Sequence, residues 1–351
     1  MFCLYSLGYP TLGLSRGNLI RALHDNLSAR ETKVRANAHA VNIESLEDGV
    51  RVHLEDGGVV DGSIVIAADG VHSPARELIQ RLGHASSASG DLKPTSPMIP
   101  NYLSIFGQTR SDRADIALGN FAESHGPGIA SQSARMSDAI YFTVLKRLEV
   151  PPTERKRFTT EDLEKMVEEL PDITLFPGVK LKEIWRIREQ TNAVLLYQEE
   201  GIAEKWHHGR IVLAGDAAHK MTSINGQGAL TGVLSATTLV NLLQAALVKK
   251  PRPTTSDLEA VFAEYEASRK GVANLVVQIG ITLTALITWT GENAEAIDRE
   301  ANAAEDPKQL VMTRLMPVFT ISPVLDFIPF EGKQGTVPWK VKGKSPIRAR
   351  L

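Results

Sequence analysis

Apolar residues recur at helical spacing in residues 16–27, where Leu19, Ile20, Leu23 and Leu27 are separated by polar positions, and this predicts a helix. The period then changes. Residues 41–43, 50–54 and 63–67 read as strands, separated by Glu47-Asp48-Gly49 and Asp56-Gly57-Gly58 turns. The third run is nearly all apolar, which predicts a strand covered on both faces. It leads into Ala68-Asp69-Gly70, and a helix is expected to begin near Pro74, because proline suits a first helical turn.

Residues 86–100 are rich in Ser, Gly and Pro and read as a loop. A mixed region follows to about Tyr197, with strand-like pieces at 102–106, 139–145 and 182–185 and a helix at 160–169, as in a second, sheet-containing lobe. Residues 211–213 read as a short buried strand ending at Ala214-Gly215-Asp216. A long helical pattern covers 228–248, a break covers 251–255, and an amphipathic helix is expected from Ser256 to about Lys270. The longest apolar stretch, 273–290, is marginal for a membrane span and reads as a buried C-terminal helix, with membrane-surface contact as the alternative. Contact through residues 315–330 is also open.

Composition narrows the classes. With 351 residues, 43% hydrophobic and 23% charged, the chain has the profile of a folded protein. A net charge of −2 gives no broad basic surface for nucleic acid. Cys3 alone excludes an intrachain disulfide and a multi-cysteine metal site, and no metal is expected. Gly8, Tyr9, Pro10, Gly13 and Arg16 interrupt the apolar residues near the start, so no secretory signal is read there and a cytoplasmic, possibly membrane-associated, location is expected.

Two segments carry candidate chemistry. In the first, residues 64–76, Asp69 follows a buried strand and can accept hydrogen bonds from a ribose. Gly70 allows a close backbone turn, and Ser73 and Arg76 can donate to phosphate. The purely structural alternative makes Ser73 a helix cap and leaves Arg76 on the surface. In the second, residues 209–228, a buried strand delivers Asp216, and Gly226-Gln227-Gly228 opens a long helix whose N–H groups can stabilise negative charge. Glycine used only for the turn is the alternative there. Open α/β sheets bind ligands beyond the carboxyl ends of their strands, where both acidic turns fall.

Together these segments resemble the flavoprotein aromatic hydroxylases, the para-hydroxybenzoate hydroxylase-like monooxygenases. Ala68-Asp69-Gly70-Val71-His72-Ser73 with Arg76 is similar to the family's motif for FAD and NAD(P)H, and Ala214-Gly215-Asp216-Ala217-Ala218-His219 to the motif whose aspartate binds the ribityl chain. Gly226-Gln227-Gly228 resembles the segment beside the flavin pyrimidine edge, and Arg16 the arginine opening an early helix near the flavin. Gly8-Tyr9-Pro10, residues 204–210 and His219-Lys220-Met221-Thr222 look like the fungal branch that oxygenates prenylated natural products.

The resemblance implies a mixed α/β (α+β) fold: an incomplete Rossmann-like FAD-binding domain with an inserted sheet-containing substrate lobe and C-terminal helices. The expected parts are 1–95 and 201–272 for the FAD-binding domain, 96–200 for the substrate lobe and 273–351 for a C-terminal helical or irregular tail. It implies FAD and NAD(P)H as cofactors, with Arg16, Asp69, Gly70, Asp216, Gly226, Gln227 and Gly228 binding cofactor, and an aromatic or prenylated small molecule hydroxylated or epoxidised in secondary metabolism. No catalytic acid or base is named.

The sequence departs from the family pattern in two ways. No Gly-x-Gly-x-x-Gly turn precedes Arg16 or occurs elsewhere. Ser223, Leu230 and Leu234-Ser235 stand where the family has proline, asparagine and a Glu-Asp pair. These departures keep two alternatives in view: a catalytically impaired remnant serving as a scaffold, and a flavin-independent cyclase or isomerase.

Overall fold

The computed structural model describes residues 8, 9, 13–85, 96–110, 115–137, 139–154, 156–187, 191–303, 319–329, 332, 333 and 335–339. Helix α1 (Arg16–Asp25) starts at Ser15, whose hydroxyl accepts from the Asn18 amide at 3.2 Å, a side-chain cap on the first free N–H groups. Its apolar positions stay in the open, with Ile20 53% and Leu23 65% exposed. A single turn, α2 (Arg30–Lys33), leads to an antiparallel meander of β1 (Ala40–Ser45), β2 (Val50–Leu54) and β3 (Val59–Gly62). β3 has no counterpart in the hydrophobic pattern, because all four of its residues are exposed and none faces a core.

β4 (Val65–Ala67) is shorter than the run at 63–67 and is not covered on both faces. Ile66 is 46% exposed, and among the described residues β4 pairs with one strand, β13 (Ile211–Leu213). That pairing is parallel, with Val65, Ile66 and Ala67 opposite Ile211, Val212 and Leu213. A parallel pair needs a long crossover, and here it contains five of the six strands of the second lobe's sheet. β12 (His207–His208) flanks β13 on its other side. Trp206, Ile211, Val212, Leu213, Phe262 and Tyr265 form the centre of this core, with Ile79 from α3 (Pro74–Ala85).

The lobe is built on a six-stranded sheet ordered β14-β11-β5-β8-β7-β6. Its strands are β5 (Ile99–Thr109), β6 (Phe121–Gly126), β7 (Ile129–Arg135), β8 (Ile140–Arg147), β11 (Thr191–Ile202) and β14 (His219–Lys220). Ile105, Phe142 and Val144 turn one face towards α4 (Thr160–Glu169), which supplies Leu163, Met166 and Val167. Thr159 and Asp162 begin α4 with reciprocal capping bonds. β9 (Thr174–Phe176) and β10 (Val179–Lys180) form a separate hairpin. The strand expected at 182–185 is instead helix α5 (Leu181–Arg186). Leu181 and Ile184, three residues apart, are both buried, a helical repeat that so short an apolar run does not distinguish from a strand.

Three helices complete the described chain: α6 (Gly228–Lys249), α7 (Thr255–Ile287) and α8 (Ala294–Ala303). The break at 251–255 holds, with Thr254 and Asp257 forming a capping box at the start of α7. The helix expected to end near Lys270 runs on to Ile287 and is 33 residues long, so the apolar stretch at 273–290 is largely the second half of α7. Ala273, Val276, Val277, Gly280, Thr284 and Ile287 give that half a buried face. α6 and α7 are both long and apolar enough to cross a membrane by length and composition. Residues 315–318 and 330 of the second apolar stretch lie outside the described residues.

Candidate functional site

The two acidic turns leave the same end of the parallel pair. Beyond the last residues of β4 and β13, the Ala214 amide donates to the Ala67 carbonyl at 2.9 Å and carries the pairing one step further. Asp69 then follows on one chain and Asp216 on the other. Asp69 is exposed, and its Oδ2 accepts from the Ala75 amide at 3.3 Å. Gly70 has φ +85°, a conformation that L side chains rarely adopt, and nothing lies within 4 Å of where a Cβ would be.

For Ser73 the structural alternative, a helix cap, holds, while neither reading of Arg76 does. Ser73 is fully buried and caps α3 by accepting from the Arg76 amide at 3.0 Å. Arg76 is 2% exposed, neither on the surface nor aimed at a phosphate. Its guanidinium donates to the Ala217 carbonyl at 3.0 Å and the Val71 carbonyl at 2.6 Å, so it sews the first turn to the second. Burial pulls its pKa down, partly offset by Asp69 and Glu77.

Asp216 sits in a 3-10 turn, Gly215–Ala217, half-exposed, with Lys220 Nζ 3.6 Å away. The turn lies close against α6: a Cβ on Gly232 would be 3.6 Å from Gly215 Cα. His219, just beyond, is fully buried, and desolvation lowers its pKa to about 4, with Asp216 opposing and Arg269 adding to that effect. It is a neutral core imidazole 3.1 Å from the Ser235 hydroxyl.

Gly226-Gln227-Gly228 leads into α6. Gly226 has φ +63° and closes the 3-10 turn Ser223–Asn225. Gln227 is the residue before the helix, and its amide donates to Asn225 Oδ1 at 3.1 Å. No side chain caps α6, so its leading N–H groups point outward from the end of a 22-residue helix. Asp69, Gly70, Asp216 and the 226–228 segment therefore flank one region. Among the described residues Arg16 makes no hydrogen bond or ion pair to them: it is exposed in the first turn of α1, near Gly13, which packs against the Met136 side chain.

The lobe holds this region through side chains that no local motif marks. Gln198 Oε1 accepts from the Ser223 amide at 3.1 Å, and Gln132 Nε2 donates to the Ile224 carbonyl at 3.1 Å. From α7, Thr284 meets Thr222 at 2.8 Å, and the Val276 carbonyl accepts from Asn225 Nδ2 at 3.2 Å. His72 reaches Glu199 of β11 at 3.5 Å. The only sequence signal was polar residues on otherwise apolar strands and helices, which becomes informative once the pairing is known.

Beside the Ile224 turn, the open face of the six-stranded sheet carries a cleft of about 430 Å³. Phe106, Phe121 and Tyr141 supply its aromatic surface, and Gln108, Gln132 and Asn192 its amides. Among the described residues its lining contains no carboxylate, histidine or lysine.

The flavin end of FAD fits what this region offers: Asp216 beside an outward-facing turn, two glycines with positive φ and open space before them, and an uncapped helix N-terminus. A Gly-x-Gly-x-x-Gly turn for the pyrophosphate is not among the 351 residues.

Comparison with known proteins places the arrangement in a family. The profile of the FAD binding domain family matches residues 9–279. The FAD-dependent monooxygenase srdH of Neurospora crassa is 33% identical over 95% of this chain and 78% of its own length. The FAD-dependent monooxygenase paxM of Penicillium paxilli is 30% identical over 77% of this chain and 57% of its own; the chain thus spans little more than half of some relatives. Among solved structures, HpxO of Klebsiella pneumoniae, complexed with FAD and uric acid, aligns at a TM-score of 0.64 with 21% identity, covering 87% of this chain and 72% of that one. A salicylate hydroxylase substrate complex aligns at 0.60 with 18% identity, covering 90% and 78%. The shared architecture, the family match across most of the chain and the relative at 33% identity agree, and the chain belongs to the FAD-binding-domain family of FAD-dependent monooxygenases.

Proposed function

We propose that the chain is the FAD-binding and substrate-binding portion of an NAD(P)H-driven monooxygenase that hydroxylates or epoxidises an aromatic or prenylated small molecule. The observation that carries this reading is the Gln132–Ile224 hydrogen bond. It supports the reading by joining a residue of the aromatic cleft to the turn that precedes α6, where the flavin edge would lie.

Asp216 would accept hydrogen bonds from the ribityl hydroxyls, with Lys220 withdrawing from its 3.6 Å contact as they do so. The N–H groups at Gly226, Gln227 and Gly228 would receive the electron-rich edge of the flavin, where a helix N-terminus stabilises negative charge. Asp69 and Gly70 would line the same cofactor, and Arg16 would close over it from α1, an assignment that rests on resemblance. The bound flavin, reduced by NAD(P)H, supplies the activation of dioxygen.

The protein's share is orientation and exclusion of water. Phe106, Phe121 and Tyr141 would bed an aromatic ring or prenyl chain, while Gln108, Gln132 and Asn192 would fix its polar groups. A lining free of carboxylate, histidine and lysine suits oxygen transfer that takes no proton from a side chain. The test is incubation of the FAD-loaded protein with NADH or NADPH, isotopically labelled dioxygen and candidate substrates. One labelled oxygen atom in the product supports the reading. Conversion of a substrate without label uptake and without flavin would replace it with a cyclase or isomerase.

A further inference from the structure

Arg269 is 5% exposed, and neither its Nε nor its Nη2 has a hydrogen-bond partner. It forms no ion pair with any described residue. It lies one helical turn after Tyr265 on the buried face of α7. Tyr265 belongs to an aromatic cluster on that face, where the Trp206 ring centre lies 5.6 Å from Tyr265 and 5.4 Å from His219. Tyr265 donates to the Leu213 carbonyl at 3.2 Å, and Ser235 meets His219 Nε2 at 3.1 Å. The Nδ1 of His219, like the two guanidinium nitrogens, is sealed from solvent without a partner.

The neighbouring acids are engaged elsewhere. Glu266 accepts from the Trp206 amide at 2.9 Å, from His207 at 3.1 Å and from Lys270 at 2.8 Å. Asp216 faces outward beside Lys220. A guanidinium does not discharge by losing its proton, and an unpaired charge in an apolar interior costs several kcal/mol. An arginine fixed in such a position calls for a counter-charge.

We propose that Arg269, through Nε–H and Nη2–H, binds a small monovalent anion of chloride size in the interior between Trp206, His219 and Tyr265. The anion is separate from cofactor and substrate. It neutralises the guanidinium where α7 packs against β12 and β14. The site does not depend on the monooxygenase reading.

The experiment is thermal melting of the purified protein in sodium chloride and in sodium gluconate at equal ionic strength, gluconate being too large to enter. Wild type should show a saturable rise in Tm with chloride, as binding to the native state alone requires. Arg269→Met, an apolar side chain of similar reach, should lose that response and melt no lower than wild type in gluconate. Equal wild-type melting in both salts, or a chloride response kept by R269M, overturns the proposal. Should R269M fail to fold, wild-type crystals soaked in bromide decide it. An anomalous peak within hydrogen-bonding distance of Arg269 Nε and Nη2 supports the site, and no peak there refutes it.

Discussion

Arg76 Nη1 lies 3.0 Å from the Ala217 carbonyl oxygen, a bond between residues 141 positions apart in sequence. It joins the helix after the first acidic turn to the backbone of the second, so the two acidic turns share one buried cation. Val71 accepts from the same guanidinium at 2.6 Å. Replacing Arg76 with Met leaves two buried carbonyls without a donor, and the expected cost is about 2–4 kcal/mol. Urea denaturation measures it. Unchanged stability would mean that the turns are held by their strands alone.

Gln132 is expected to matter more for chemistry than for folding. Its amide bridges Glu123 at 2.6 Å and the Ile224 carbonyl at 3.1 Å, and the second bond joins the lobe to the helix-opening turn. Gln132→Ala should cost about 1 kcal/mol of stability. Coupling between NAD(P)H oxidation and product formation should fall by much more than that loss implies. Coupling equal to wild type would separate the turn from the placement of substrate.

Acid should weaken the packing of α7 on β12 through Glu266. Burial raises its pKa, but hydrogen bonds from His207, Lys270 and the Trp206 amide outweigh this and hold it at about 2, below its ordinary value of 4.5. The folded-state pKa is the lower one, so the unfolded chain takes up the proton first. The stabilisation is therefore complete above about pH 4.5 and is lost as the pH falls towards about 2. Glu266→Gln should be less stable at neutral pH and should flatten the decline across that window. A decline as steep as wild type would assign it to other carboxylates.

The C-terminal helices should come away from the lobe when Asp298 is removed. Asp298 is 4% exposed and accepts from His125 at 2.9 Å, Trp289 Nε1 at 2.9 Å and Asn302 at 3.1 Å. Asp298→Ala leaves these donors without their acceptor, at a cost of about 2–4 kcal/mol. Hydrogen exchange should quicken in α8 and at the end of α7, while the α4 region stays protected. Uniform quickening would contradict a local clasp.

What could be read from the sequence was whatever is local. The strand at Ile211–Leu213, the helix opened by Gly226 to Gly228 and the acidic turns at Asp69 and Asp216 each follow from a few adjacent residues, and each is found in place. Long-range partnership was not legible. Arg76 looked like a surface donor because nothing near it in sequence names Ala217. The exposed Ile66 defeated the expectation of a strand covered on both faces, because apolarity reports what a residue tolerates and not which neighbour reaches it. Residues 182–185 became helical for a related reason, since four apolar and polar positions fit either period. Gln132 and Gln198 belong to the site only through the register that brings β7 and β11 beside the Ile224 turn.

The central claim is that the turns at Asp69, Asp216 and Gly226 to Gly228 hold a flavin. Its most direct test is the visible absorbance of the purified chain after incubation with FAD and desalting, with Asp216→Ala alongside. The account predicts a retained flavin spectrum in the wild type and its near-complete loss in D216A, with matching circular dichroism. A folded but colourless wild type, or a D216A protein as yellow as wild type, would contradict it.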